Sequence, residues 1–368
     1  MSNEIDQQQL YSGPDGNSPF RGLGGLLRPN IKNLTPYSSA RDEFQGEASV
    51  FLDANENAYG SPLVQAYNRY PDPMQYQVKM RLSQIKGVPA RNIFLGNGSD
   101  EAIDILFRSF CNPGIDNVII VPPTYGMYEV SANINDIKLK RVLLTEDYQL
   151  NLEGIAEAID KNTKLIFICS PNNPTGNSIN RDDIETLLAN FNGIVVVDEA
   201  YINYSRQKTF IQELTEYANL VVLQTLSKAW GLAGLRMGMA FASEEIIEVM
   251  NKVKPPYNIN EASQTLALQA LANIDQVNEW IKETLQQRDN LVLTLKNMAF
   301  VLDIYPSDAN FILVKTTDAN GIYNFLVERG IIVRNRSKVE LCEGCLRITI
   351  GTPQENNKLI ETLQQYNA

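Results

Sequence analysis

The stretch Gly193-Ile194-Val195-Val196-Val197-Asp198-Glu199-Ala200-Tyr201 decides the fold. Its short β-branched run, bounded by a glycine and a carboxylate, reads as a buried strand. Strands of this kind belong to parallel sheets, whose crossover connections are usually helices. The flanking sequence supplies such units. Leu165 to Cys169 reads as a strand followed by a helix over Asp182 to Phe191, and Asn92 to Leu95 leads into a helix over Asp100 to Phe110. From about residue 75 this alternation predicts an α/β architecture around a mostly parallel sheet, with polar loops at the strand ends where ligands of open α/β sheets collect.

Beyond a long helical stretch from about Asn260 to Met298 the pattern changes. Phe311 to Val314, Ile331 to Val333 and Leu346 to Ile350 read as strands, and Ile322 to Arg329 as a helix, which predicts a smaller α+β domain. Residues 1 to about 30 are polar and rich in Gly and Pro, as at Gly13-Pro14, Gly24-Gly25 and Pro29. They predict an arm lying on a surface, ordered by a partner subunit.

Composition narrows the function. With 32 Lys plus Arg against 43 Asp plus Glu, the net charge of −11 disfavours nucleic acid and anionic lipid as partners. Small molecules are expected instead. No apolar run approaches the roughly 18 residues of a membrane span, and Met1 to Asp6 lacks the features of a secretion leader, so a cytoplasmic location is expected. Four cysteines in 368 residues give no disulfide framework, and Cys111 and Cys169 fall in segments that read as buried. Cys342 and Cys345 form a lone C-x-x-C. A redox pair and half a zinc site are its functional readings, but zinc needs two more soft ligands. The plainer expectation is a pair of solvent-edge thiols without a role, and no metal is expected. The absence of histidine removes Ser-His-Asp hydrolases, His-ligated metalloenzymes and imidazole bases together. Proton transfer must use Lys, Tyr, Asp, Glu or Cys.

Lys228, in Thr225-Leu226-Ser227-Lys228-Ala229-Trp230-Gly231-Leu232-Ala233-Gly234-Leu235-Arg236-Met237-Gly238, sits among small and apolar residues. Partial desolvation there would favour its free amine as a nucleophile toward an aldehyde, while the bland reading is a lysine snorkelling from a glycine-rich loop. Ser227 adds a hydroxyl and Arg236 a bidentate anion donor. Gly96-Asn97-Gly98-Ser99-Asp100-Glu101 lies between a strand and a helix, where glycines let the backbone approach an anion and the helix start presents free N–H groups. Such turns are common without any ligand, but with Ser227 and Arg236 this one describes a phosphate cup. Asp198 is costly at a buried strand end unless a cation such as a protonated pyridine nitrogen meets it, the alternative being an N-cap. Tyr201 and Asn173, the latter in Ser170-Pro171-Asn172-Asn173-Pro174-Thr175-Gly176, could bond a ring oxygen. Tyr125 could cover the ring face, or be core.

Taken in order, these segments resemble the fold-type I, class II aminotransferases that use pyridoxal 5′-phosphate (PLP), most closely the histidinol-phosphate aminotransferases. Asn33 to Tyr37, Asp53 to Asn57, Asn68 to Pro71, Pro122 to Tyr128, Asp198 to Tyr201, Leu226 to Ala229, Gly234 to Arg236 and Leu346 to Thr349 carry the likeness, which runs from about Ile31 to the C-terminus. It implies an N-terminal arm over 1–50, a large PLP-binding domain over 51–275 and a small domain over 276–368. It implies Lys228 as Schiff-base lysine and proton shuttle, Asp198 on the pyridine nitrogen, Tyr201 and Asn173 on the ring oxygen and Tyr125 on the ring. Gly98, Ser99, Asp100, Ser227 and Arg236 would hold the cofactor's phosphate end, with Tyr70 reaching in from the other subunit of a homodimer. Tyr37, Asn55 and Arg347 would bind substrate, and Arg334 is a candidate second guanidinium for a phosphate dianion, its alternative being a surface ion pair. The implied substrates are histidinol phosphate and 2-oxoglutarate, yielding imidazole-acetol phosphate and glutamate. Threonine-phosphate decarboxylation, aromatic or broad-specificity transamination and a silent PLP-binding regulator are the alternatives.

Overall fold

A computed structural model describes residues 22–37 and 49–366. Seven strands form the main sheet: β1 (Ile93–Asn97), β2 (Asn117–Ile120), β3 (Lys138–Arg141), β4 (Thr163–Cys169), β5 (Ile194–Asp198), β6 (Leu220–Thr225) and β7 (Met237–Ala242). Their order is β1-β7-β6-β5-β4-β2-β3. Only β7 runs against its neighbours, and the other pairings are parallel. The carboxyl ends of β1, β2, β4, β5 and β6 and the start of β7 therefore lie along one edge of the sheet.

Alternation along each central strand explains why the sheet is covered on both sides. Val195 and Val197 enter one core with Ile166 and Ile168, while Ile194 and Val196 enter another with Leu165 and Phe167. Side chains alternate with period two, so a continuous apolar run feeds both faces. On the second face the helix Gly98–Phe110 buries Ala102, Ile103, Leu106, Phe107 and Phe110 at helical spacing. Phe167 stacks between Phe107 at 5.3 Å and Tyr128 at 4.9 Å. Full burial of each such side chain stabilises by about 1.5–3 kcal/mol.

A second, antiparallel sheet contains β8 (Val301–Ile304), β9 (Phe311–Thr316), β10 (Arg334–Asn335) and β11 (Cys345–Thr349), ordered β10-β11-β9-β8. The helix Ile274–Leu295 links the cores: Ile274, Val277 and Ile281 pack on the large sheet's side, Leu291 and Leu295 on the small sheet's.

Several sequence expectations need correction. The stretch from Asn260 to Met298 is two helices, Glu261–Leu271 and Ile274–Leu295, separated by Ala272 and Asn273. Ile331 to Val333 is not a strand; the ladder begins at Arg334, which pairs with Arg347 of β11, whereas its apolar predecessors have no strand partner. Cys342 and Cys345 are not solvent-edge thiols but fully buried members of the first core, with thiols pushed up to about 11 and about 12 by burial. The described part of the arm also packs more firmly than its composition suggests. Leu23 and Leu26 join the second core, and Arg28 donates its backbone N–H to the Ser109 carbonyl and its guanidinium to that of Arg108. Those carbonyls end the Gly98–Phe110 helix and lack partners within it, which is why an arm docks there. The rest of the expected arm, 1–21 and 38–48, lies outside the described residues. Among the described residues no helix is long and apolar enough to cross a membrane.

Candidate active site

The strand ends converge on a cavity of about 570 Å³. Gly98, Ser99, Asp100, Tyr125, Asn173, Asp198, Tyr201, Ser227, Lys228, Arg236, Arg334 and Arg347 all line it. Tyr37, Asn55 and Tyr70 do not. Tyr37 is 74% exposed, and Asn55 and Tyr70 line a separate cavity of about 540 Å³, where Tyr70 stacks on Tyr257 at 4.5 Å.

One end of the cavity is a cradle made by backbone. Gly98, at φ 74°, turns the chain from β1 into its helix, and a Cβ there would lie 2.8 Å from Arg236 Nη2. A Cβ on Gly238 would fall 2.1 Å from the Ser99 nitrogen, so β7 can press against this turn only as glycine. Gly98 N–H donates to the Arg236 carbonyl at 2.7 Å, which fixes the arginine at the rim. Its Nη2 stands 3.4 Å from Asp100 Oδ2. The first N–H groups of a 13-residue helix, the Ser227 hydroxyl and a guanidinium thus face one small space, a donor set suited to a phosphate.

Asp198, the last residue of β5, is 2% exposed. The Tyr128 hydroxyl donates to its Oδ2 at 2.7 Å and the Ala200 N–H to its Oδ1 at 3.1 Å. Burial pushes its pKa up to about 6, against those two hydrogen bonds, which favour the ionised form. A buried acid with an open side toward a cavity fits a cationic ring nitrogen. Tyr125 is set across the cavity by donating to Asp100 Oδ1 at 3.0 Å, with its ring edge-on to Tyr128. Lys228 projects into the same space, its Nζ 5.6 Å from the Tyr201 ring centre. Desolvation and then the charge of Arg347 lower its pKa, so more of the amine is unprotonated. Cradle, buried acid and depressed lysine together match PLP as a resident group.

Glu199 differs sharply from its neighbour. It accepts from Phe210 N–H at 2.7 Å, from Gln224 at 2.9 Å and from Thr209, while Lys86 donates to Gln224 at 2.7 Å. Its oxygens are occupied within the protein, and it does not line the cavity.

The far end belongs to the small sheet. Arg347 donates to Asn173 Oδ1 at 2.5 Å and stands directly across the ladder from Arg334. Burial lowers the Arg347 pKa, with Arg334 adding to the effect. Arg336 also lines the cavity, and sequence reasoning missed it. The signal was present, since a residue two positions from Arg334 in an extended segment shares its face. Tyr128 was missed as an individual residue too. Its position three residues after Tyr125, at a helix start, was the available clue. Among the described residues no cluster of His, Cys, Asp or Glu could hold a metal ion.

The family described as aminotransferase class I and II matches residues 52–363. A histidinol-phosphate aminotransferase of Parabacteroides distasonis is 54% identical over 345 residues, covering 94% of this chain and 99% of the relative. A structure of histidinol-phosphate aminotransferase from Sinorhizobium meliloti in complex with pyridoxal-5′-phosphate superposes with TM-score 0.75 at 22% identity, covering 91% of this chain and 97% of that one. An L-threonine-O-3-phosphate decarboxylase from Porphyromonas gingivalis gives TM-score 0.69 at 23% identity, covering 81% and 90%. At such identities the two structural likenesses establish the fold alone.

Proposed function

The chain belongs to the class I and II aminotransferase family, and from that premise we propose that it is the transaminase of histidine biosynthesis, exchanging an amino group between histidinol phosphate and 2-oxoglutarate with PLP as cofactor. The observation that carries this reading is a single cavity in which Lys228 lies near two sets of anion-binding groups, one with Arg236 and the other with Arg347. One phosphate belongs to the cofactor and the other to the substrate.

Gly98, Ser99, Ser227 and Arg236, with Asp100 positioning Arg236, would hold the cofactor's phosphate. Asp198 would pair with its ring nitrogen, Tyr125 would cover the ring, and Asn173 and Tyr201 would serve its ring oxygen. When bound, PLP supplies an electron sink that stabilises negative charge at the substrate's amine-bearing carbon. Lys228 would hold the cofactor, and its free amine would take the proton from that carbon. Its depressed pKa suits a base working near neutral pH. In a chain without histidine, no imidazole competes for that task. Arg347 and Arg334 bind the substrate's anionic end, which orients the reacting carbon toward Lys228.

The functional unit is a homodimer in the cytoplasm. Val50, Leu52, Tyr59, Leu63, Val64 and Tyr70 are all more than half exposed in one stretch, a run that suits burial against a second copy. In that assembly Asn55 and Tyr70 complete the neighbouring cavity, and Tyr37 joins them at the substrate.

A phosphate-binding arginine pair also suits threonine-phosphate decarboxylation, so the experiment must separate the two. Glutamate formed from histidinol phosphate plus 2-oxoglutarate supports the proposed reaction. Carbon dioxide release from threonine phosphate, without glutamate formation, overturns it.

A further inference from the structure

Arg334, Arg336 and Arg347 present an unusual concentration of positive charge. The Arg336 N–H donates to the Cys345 carbonyl at 2.9 Å, continuing the β10–β11 ladder one residue beyond Asn335. Arg336 is therefore two residues from Arg334 on the same strand face, and Arg347 is opposite Arg334. All three line the cavity. None makes an ion pair among the described residues. The cavity's acids lie elsewhere: Asp100 is beside Arg236, and Asp198 is held by Tyr128.

Unlike the exposed Arg334, Arg336 is partly buried. Its Nε is buried without a hydrogen-bond partner, as is that of Arg347, whose Nη1 at least reaches Asn173. The titratable groups around Arg336 are Arg347, Arg334, Cys342 and Tyr201, and burial plus the two arginines depress its pKa. Buried donors left unpaired beside like charges destabilise the fold unless an anion meets them. A carboxylate carries one negative charge and is matched by one guanidinium fork. A phosphate monoester carries close to two at neutral pH, with three acceptor oxygens.

We infer that Arg336 is a specificity-determining residue that reads the second charge of a phosphate monoester, so that the site favours the phosphate-bearing amine over the dicarboxylate that shares it. This rests on the proposed reaction and deepens it: Arg347 serves both anions, and Arg336 separates them.

The test uses holoenzyme, wild type against Arg336→Gln and Arg336→Lys. Each half-reaction is run alone, with histidinol phosphate or glutamate as donor, and followed by the absorbance of the bound cofactor. In Arg336→Gln the efficiency with histidinol phosphate relative to glutamate falls about tenfold or more, and Arg336→Lys recovers part of it. Equal losses with both donors, or an unchanged ratio, would overturn the inference. Calorimetric binding of methyl phosphate to holoenzyme from pH 5 to 8 supplies a readout that a merely structural role would not move. Wild-type affinity climbs through the ester's second ionisation near about pH 6, and the climb flattens in Arg336→Gln. An identical climb in both proteins overturns the inference. If wild type binds methyl phosphate in this way yet does not turn over histidinol phosphate, the proposed substrate fails while the charge-reading role of Arg336 stands.

Discussion

The two ends of the cavity handle charge in opposite ways. At the cradle, Arg236 has Asp100 beside it, Asp100 also accepts from Tyr125, and Asp198 is gripped by Tyr128 and Ala200. Arg236 thus has a carboxylate beside it and Asp198 two hydrogen-bond donors, all supplied by the chain at the ends of strands buried on both faces. At the far end, Arg334, Arg336 and Arg347 sit on a short ribbon of the smaller sheet and have no carboxylate partner among the described residues. A group held from one turnover to the next can be met by fixed partners. A ligand that enters and leaves must itself complete the balance, so its end of the site keeps unmatched charge.

Removing one arginine tests this contrast most severely. Arg347→Leu is expected to lower the efficiency of both half-reactions roughly 100-fold, because the group it loses serves both anions. Steady-state kinetics with each donor check this, and a loss confined to one donor would mean that the far end is divided differently.

The cradle end yields the next effect, with the opposite sign in the two states of the enzyme. The Asp198 pKa rises from 3.8 to about 6 on folding, so the folded chain without cofactor holds the proton more tightly than the unfolded chain. The apoenzyme is therefore most favoured below the unfolded value, loses stability as pH rises from 3.8 to about 6, and carries the full penalty above that. Roughly two pKa units correspond to about 3 kcal/mol. Asp198→Asn keeps an acceptor for Tyr128 and removes the charge. The apo variant at pH 7.5 should accordingly be more stable than wild type by up to about 3 kcal/mol in denaturant unfolding, while binding PLP more weakly. An apo variant no more stable than wild type would show that Asp198 is not a strained group awaiting a cation.

A smaller effect isolates Tyr128. Tyr128→Phe preserves the stacking on Phe167 and deletes only the hydroxyl that favours ionised Asp198. Hydrogen bonds to charged groups contribute about 1.5–3 kcal/mol, so PLP affinity should fall about tenfold or somewhat more, with little change in the methyl phosphate response at the far end. Parallel losses at both ends would dissolve the distinction between them.

How much of this was legible in the sequence follows the same division. Gly98, Asn173, Asp198 and Lys228 each stand just after or at the end of an apolar strand, in a contiguous stretch whose local chemistry is readable, and the parallel sheet then aligns those ends automatically. The far end depends on long-range pairing. β10 is two residues long, so apolar Ile331 to Val333 drew the strand too early and hid the shared face of Arg334 and Arg336. Tyr128 was obscure for a related reason: a tyrosine on a helix start reads as core, and only the fold brings it beside Asp198. The C-x-x-C reads as solvent-edge, whereas the fold places both thiols in the core beside Tyr148, with Tyr305 packed against that core. Asn55 and Tyr70 line the smaller cavity and not the one that holds Lys228, so the part expected of them is not met by the contacts within this chain.

Borohydride reduction of the yellow holoenzyme, followed by mass mapping of its peptides, tests the core of the account most directly. The added mass of reduced cofactor is expected on the peptide that contains Ser227 and Lys228, and on that lysine. Label on another lysine, or a protein that emerges unlabelled, would contradict it.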